Sequence, residues 1–309
     1  MGETRMADSP ISATPYEVLG VSASATEDEL RRAYRRRLRE THPDTGGRAA
    51  EFTAVQLAWE KIGTVSARTA YDGGRSTTIA HETFAQQPPR QRRDTRPTAR
   101  SYGHPGGWRR ERYLAMIREW TGRGTIVGNP YDPALVRSAP RDIRHVLADA
   151  LAEEATARVI ADLGIAFTAW HDVATPGGPE EKLDHVVLGP TGLFALLSED
   201  WGGPVRVRKG ELIGDVLAGE HPFRGLAART RSLSRSARVR FDALIIVVPD
   251  EATDAGLTLV GRIRGVPGAL VQRSRLPELL RDGLPGTPAV GGSELFEVRT
   301  RLQAVVRFV

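Results

Sequence analysis

Hydrophobic positions recur at two periods along this chain, and the change of period divides it. Leu30, Ala33, Tyr34 and Leu38 are spaced by three and four, which predicts an amphipathic helix with one apolar stripe. Phe52, Val55, Trp59 and Ile62 repeat the pattern over roughly 49–62. Thr26-Glu27-Asp28-Glu29 precedes the first stripe as a capping box, in which Thr26 accepts from the third helical amide and Glu29 reaches back. Two such helices joined by a short polar turn predict an antiparallel hairpin whose stripes bury each other. Tyr16, Val18 and Leu19 belong to a short helix that covers one end. Tyr113, Met116, Ile117 and Trp120 share a face of a further helix, 108–120, and a longer helix is expected over about 141–163, stopped by Gly164.

Beyond Gly164 the apolar runs shorten to strand length, separated by Gly/Pro turns. Residues 166–171, 183–188, 193–197, 205–207, 242–248 and 269–272 read as strands. Residues 226–238, 277–281 and 295–308 read as helical. Mixed strands and helices over this length predict one α/β domain.

Composition alters the picture in one place. The chain of 309 residues carries a net charge of +5 and a pI near 9.8, which taken whole would suggest nucleic acid. Residues 1–75 hold 11 basic and 11 acidic side chains, and residues 113–309 hold 24 of each. The excess lies in 76–112, where 8 basic residues face 3 acidic ones. Residues 76–107, rich in proline and arginine and nearly without apolar side chains, are expected to be a disordered basic linker. The plan is therefore a flexible N-terminus over 1–14, an all-α domain over 15–75, the linker, and an α/β domain over 108–309 with a helical segment at its start.

The absence of cysteine excludes disulfides, cysteine nucleophiles and thiolate metal sites. The first 14 residues lack the apolar core of a signal peptide. The most apolar run, Ala243 to Val248, is far too short to cross a bilayer. A cytoplasmic location without membrane partners is expected.

The tip of the helical hairpin is Thr41-His42-Pro43-Asp44-Thr45-Gly46-Gly47. Proline stops the helix and the glycines permit a tight reversal, leaving an imidazole and a carboxylate beside an arginine-rich helix. The order Pro15-Tyr16-Glu17-Val18-Leu19-Gly20-Val21, capping box, basic helix, His42-Pro43-Asp44, then Phe52 through Ala58-Trp59-Glu60 to Arg68 and Tyr71-Asp72 resembles the J-domain of DnaJ-type co-chaperones. The resemblance covers about a fifth of the chain. It implies docking on a DnaK-type (heat-shock 70 kDa) chaperone, stimulation of its ATPase, and capture of an unfolded client. Asp44 would pair with a cation of the partner, while His42 and Pro43 hold the loop. Arg31, Arg32, Arg35 and Arg36 would steer association electrostatically. Many J-domains carry lysine on this helix; the arginines here fit the codon bias of a GC-rich, bacterial genome.

In the second half, Lys182-Leu183-Asp184-His185-Val186-Val187-Leu188-Gly189-Pro190-Thr191-Gly192-Leu193-Phe194, continuing to Glu199-Asp200-Trp201-Gly202-Gly203, looks like the nuclease-related domain, a branch of the PD-(D/E)xK phosphodiesterase folds. That likeness implies a restriction-endonuclease-like α/β fold. Its chemistry needs two carboxylates for a divalent cation and a lysine near the attacking water. Asp184 takes the first carboxylate position and Glu154 that of a helix carboxylate. The acid-x-Lys pair falls on Leu197-Ser198-Glu199, so the acid has become leucine and the lysine glutamate.

The reading this supports is a co-chaperone, not an enzyme, with a non-catalytic second domain for targeting or client binding and no cofactor or metal. A nuclease is the alternative: Glu154, Asp184 and Glu199 would form a rearranged site for Mg2+, with Lys182 or Lys209 replacing the missing cation. A third reading is nucleic-acid binding without cleavage, through Arg229, Arg231 and Arg235 in a stretch free of acids. The histidines have no ligand spacing, so a histidine metal site is not expected.

Overall fold

The computed structural model describes residues 13–42, 48–72, 97–122, 127–285 and 291–309. They form two compact units. One combines the N-terminal helices with residues 117–144; the other comprises the chain from 97 to 116 and from 145 onward.

The N-terminal helices begin as their sequence dictates. In α1 (Pro15–Leu19) Thr14 and Glu17 cap reciprocally. In α2 (Glu27–Glu40) Thr26 and Glu29 do the same, with the Thr26 amide donating to Glu29 Oε2 at 2.7 Å. Leu30 of α2 is buried with Val55, Ala58 and Ile62 of α3 (Ala49–Ile62), and Tyr16 and Leu19 of α1 complete the core. Tyr34 stacks on Trp59 with ring centroids 4.3 Å apart. The hairpin is closed by α4 (Val65–Asp72), whose Arg68 donates to Tyr16 Oη and to the carbonyls of Ala23 and Ala25.

This unit extends past the expected domain end. Arg137, in the short helix α6 (Pro133–Ser138), stacks its guanidinium 5.3 Å over the Tyr71 ring. Arg144, 2 % exposed, donates to the Ala139 carbonyl at 3.1 Å and pairs with Glu17 of α1. Preceding α6 is α5 (Gly107–Thr121), and Arg144 lies in the first turn of α7 (Arg141–Ala161). Trp120, assigned to the apolar face of α5, is instead 40 % exposed, while Tyr113 and Ile117 are fully buried.

The second unit is an α/β fold around a mixed seven-stranded sheet ordered β1-β2-β3-β4-β7-β9-β8. Strands β2 (Thr168–Val173), β3 (Leu183–Gly189) and β4 (Gly192–Ser198) form an antiparallel meander. A small hairpin, β5 (Arg206–Arg208) and β6 (Glu211–Ile213), and helix α8 (Pro222–Ala237) then lead to β7 (Ala243–Val248), which returns parallel to β4. The edge hairpin β8 (Leu257–Ile263) and β9 (Val266–Gln272) follows, with β9 parallel to β7. Helices α9 (Leu276–Asp282) and α10 (Gly292–Val305) close the order.

The sheet is apolar on both faces, so its central strands read as continuous hydrophobic runs. Trp170, Val186, Ala195, Leu197 and Ile246 pack with Phe223, Leu226 and Leu233 of α8. Ala169, Val187, Phe194, Ile245 and Val247 pack with Ile160 of α7 and Leu276, Leu279 and Leu280 of α9.

The linker expectation over 76–107 needs correction at its end. Strand β1 (Arg100–Tyr102) pairs parallel to β2, and the amides of Ala99 and Arg100 donate to the carbonyls of Ala161 and Phe167. Backbone bonding and the burial of Ala99 order this stretch despite its polar composition. Residues 73–96, and with them most of the expected linker, lie outside the described residues, as do the first 12.

Candidate functional site

Two constellations carry chemistry. The first is the tip and basic face of the helical unit. Arg31, Arg32, Arg35 and Arg36 are all exposed on α2. Arg31 pairs with Glu27 at 2.6 Å, one turn back, and Arg36 lies 3.9 Å from Glu40. Such exposed pairs contribute little to stability. At the end of α2 the His42 ring meets Phe52 edge-on, centroids 5.1 Å apart, which anchors the start of the tip to α3. Pro43 and Asp44 lie outside the described residues.

The second constellation is a buried charge network where α7 meets the ends of β2, β3 and β4. At its centre is Lys182, 1 % exposed. Its Nζ lies 2.6 Å from Glu153 Oε2, 2.8 Å from Asp172 Oδ1 and 2.8 Å from Asp184 Oδ1. The other oxygen of Asp184 accepts the Ser198 amide at 2.8 Å. Burial alone would raise the Asp184 pKa, but Lys182 and then Arg109 hold it down to about 2. The Lys182 ammonium is kept charged against its own burial by Asp184, Glu153 and Asp172.

One helical turn away, Asp149 sits with His145 and Glu199. Arg109 of α5 bridges to the centre: its Nη1 is 2.9 Å from Asp149 Oδ2 and its Nε 3.5 Å from Glu153 Oε1. Burial pushes the Asp149 carboxyl up to about 7 despite Arg109. Glu199 and Glu153 are also raised well above the usual carboxylate range, first by burial, then by Asp149 and Asp184 respectively.

These positions revise the expected site. Glu154 is not part of it: it points to Arg110, which grips both its carboxylate oxygens. Its neighbour Glu153, 0 % exposed, takes the inward place, because successive helical residues are rotated by about 100°. Asp184 is at the centre. Glu199 is buried but belongs with Asp149 and His145. Lys182 supplies the central cation, while Lys209 is exposed on the β5–β6 turn. Leu197 is 2 % exposed and belongs to the apolar core. Asp149, Asp172, Arg109 and His145 were not anticipated. The available signal was the four-residue spacing of Asp149 and Glu153, which sets two acids on one helix face amid buried alanines.

Beside this network runs a buried series of hydrogen bonds. Ser101 Oγ contacts His171 Nε2 at 2.9 Å, His171 Nδ1 contacts His185 Nδ1 at 2.7 Å, and His185 Nε2 contacts Ser198 Oγ at 3.1 Å. Burial depresses both imidazoles, His171 to about 4 and His185 well below its ordinary value. Both are therefore neutral near pH 7, and one Nδ1 donates while the other accepts.

Of the nucleic-acid candidates, Arg231 and Arg235 are exposed on α8, one turn apart. Arg229 is turned inward, its Nη1 donating to the Lys182 carbonyl at 2.9 Å.

Comparison with known proteins addresses the first constellation. The DnaJ domain family matches residues 14–72. The chain is 45% identical over 60 residues to "Chaperone protein DnaJ" of Thermosynechococcus vestitus, which is 18% of this chain and 16% of that protein. It is 43% identical over 61 residues to "Chaperone protein DnaJ 1" of Cutibacterium acnes, 19% and 16% of the two chains. A "DnaJ protein homolog" of Cucumis sativus is 40% identical over 57 residues, 18% and 14%. The chain thus spans about a sixth of the length of these curated relatives. No solved structure matches it significantly. With the capped helices, the hairpin core and the Tyr16–Asp72–Arg68 closure in place, residues 14–72 are a J-domain of the DnaJ type, followed by an α/β region of mixed seven-stranded topology.

Proposed function

We propose that the protein is a co-chaperone of the cytoplasm that docks on a DnaK-type chaperone through its J-domain and stimulates ATP hydrolysis there. The observation that carries this reading is the exposed arginine face of α2 running to His42, on a hairpin whose similarity to DnaJ proteins spans the whole domain. Asp44 would supply the carboxylate that engages a cation of the partner. The intact protein should raise the steady-state ATPase rate of a cognate DnaK-type chaperone several-fold, and Asp44→Asn should abolish the rise. No stimulation by the intact protein overturns the proposal.

The α/β region is read as a non-catalytic module that localises the co-chaperone or selects its clients. Phosphodiester hydrolysis on this scaffold would need a divalent ion held by free carboxylate oxygens. Both oxygens of Asp184 are engaged, by Lys182 and by the Ser198 amide, and Leu197 fills the place of a second acid with a buried apolar side chain. These residues do not fit such an ion, and the expected cleavage of DNA or RNA with Mg2+ or Mn2+ is none. Cleavage that disappears in Asp184→Ala would overturn this part. Retention of nucleic acid without cleavage is the second reading, favoured by the exposure of Arg231 and Arg235 on one face of α8. Salt-sensitive binding lost in the double Arg231→Ala, Arg235→Ala variant would support it.

A further inference from the structure

We propose that His145, Asp149 and Glu199 form a binding site for a divalent transition-metal ion, one turn of α7 away from the Lys182 centre. Each residue offers one ligand atom, and these atoms all lie within 4.8 Å of one another. His145 and Asp149 are four apart on α7, so they share a face, and Glu199 arrives directly after β4. Ligands held about 2.1 Å from a zinc ion stand roughly 3.5 Å apart. Side-chain adjustment of about an ångström would therefore close the set.

The reason to expect an ion here is charge. Asp149 and Glu199 are buried side by side. Neither oxygen of Asp149 accepts a well-formed hydrogen bond, and His145 Nδ1 is buried without one. Among the described residues, Asp149, Glu153, Asp172, Asp184 and Glu199 face only Lys182 and Arg109 as fixed cations. Lys182 is shared by three carboxylates and satisfies the Asp184 end. Arg109 is left to cover Asp149 and Glu153 together, from a position 18% exposed. His145, 27% exposed, opens the site to solvent.

One imidazole and two carboxylates are a borderline-soft set, suited to Zn2+, Mn2+ or Fe2+ rather than to Mg2+, which prefers oxygen alone. The site asks for no hydrolytic activity and is independent of the J-domain reading. The ion would add the missing positive charge and tie α7 to the end of β4.

The test is calorimetric titration of the full-length, chelator-treated protein with Zn2+, Mn2+ and Mg2+ in turn, with the Co2+ absorption spectrum as a second measurement. One Zn2+ or Mn2+ per chain is expected, bound at least tenfold tighter than Mg2+. His145→Ala and Glu199→Gln should each weaken it tenfold or more, and Arg109→Gln should strengthen it by removing the competing cation. Co2+ should show a nitrogen-containing ligand field that His145→Ala removes. Should Glu199→Gln fail to fold, His145→Ala at its partly exposed position decides alone. Binding no tighter than millimolar, or binding unchanged in His145→Ala, overturns the proposal. So does a weaker affinity in Arg109→Gln.

Discussion

The guanidinium of Arg144 is buried against the J-domain, donating to Ala139 and paired with Glu17, which lies 127 positions earlier in α1. A charged side chain 2% exposed must be satisfied on every side, and Glu17 is the carboxylate that does so. Arg144→Ala should therefore destabilise the helical unit by about 1–3 kcal/mol. Glu17→Gln should cost less, because Glu17 is itself nearly half exposed. A double-mutant cycle read by denaturant melts of the full chain would show non-additivity; purely additive losses would mean the pair is incidental.

The arginines of α2 are expected to act on encounter rather than on fold. Reversing Arg32 and Arg35 to glutamate should lower the association rate with a DnaK-type partner tenfold or more at low salt. The helix melting temperature should move little, since both side chains are exposed and neither closes a buried pair. Stopped-flow association over a salt series is the measurement. A rate indifferent to both salt and reversal would remove electrostatic steering from the account.

Lys182 and Glu154 provide a matched contrast. Lys182→Met leaves Glu153, Asp172 and Asp184 facing one another in the interior, and the loss should be about 3–5 kcal/mol. Glu154→Gln disturbs only the partly exposed pair with Arg110 and should cost below about 1 kcal/mol. Comparable losses for the two variants would contradict the placement of Glu153 as the inward acid.

The histidine pair sets a pH dependence. An unfolded histidine titrates near 6.5, whereas His171 is held to about 4 when folded and His185 well below its ordinary value. Below pH 6.5 the unfolded chain binds more protons than the folded one, so stability present at pH 7 is lost as pH falls towards 4. For His171 alone the loss is on the order of 3 kcal/mol. His171→Gln should flatten the slope of stability between pH 7 and 4, in denaturant melts followed by tryptophan fluorescence. An unchanged slope would show that His171 takes up its proton as readily in the folded chain as in the unfolded one.

The J-domain was legible in the residues because its determinants are local: caps at Thr26 and Glu29, helical spacing at Leu30 and Ile62, and a tip between them. The central strands were legible as apolar runs, since both faces of the sheet are covered. Strand β8 escaped because it lies at the sheet edge, where Leu257 and Leu259 are exposed and no clean alternation marks it. Strand β1 escaped because three polar residues become a strand only through pairing with β2. Choosing between Glu153 and Glu154 required knowing which way α7 is turned, which is set by distant packing. Lys182 could have been preferred on strand parity, two residues from Asp184 and so on its side of β3.

Residues 117–144 belong with the J-domain although they follow a segment, 97–116, that belongs with the sheet. The backbone therefore enters the helical unit twice and leaves it twice. No single cut yields both intact: a fragment ending near residue 75 loses Arg137 and Arg144, and one beginning at 145 loses β1 and Arg109. This J-domain is thus not a cassette that can be lifted out, and grafting experiments should carry the returning segment with it.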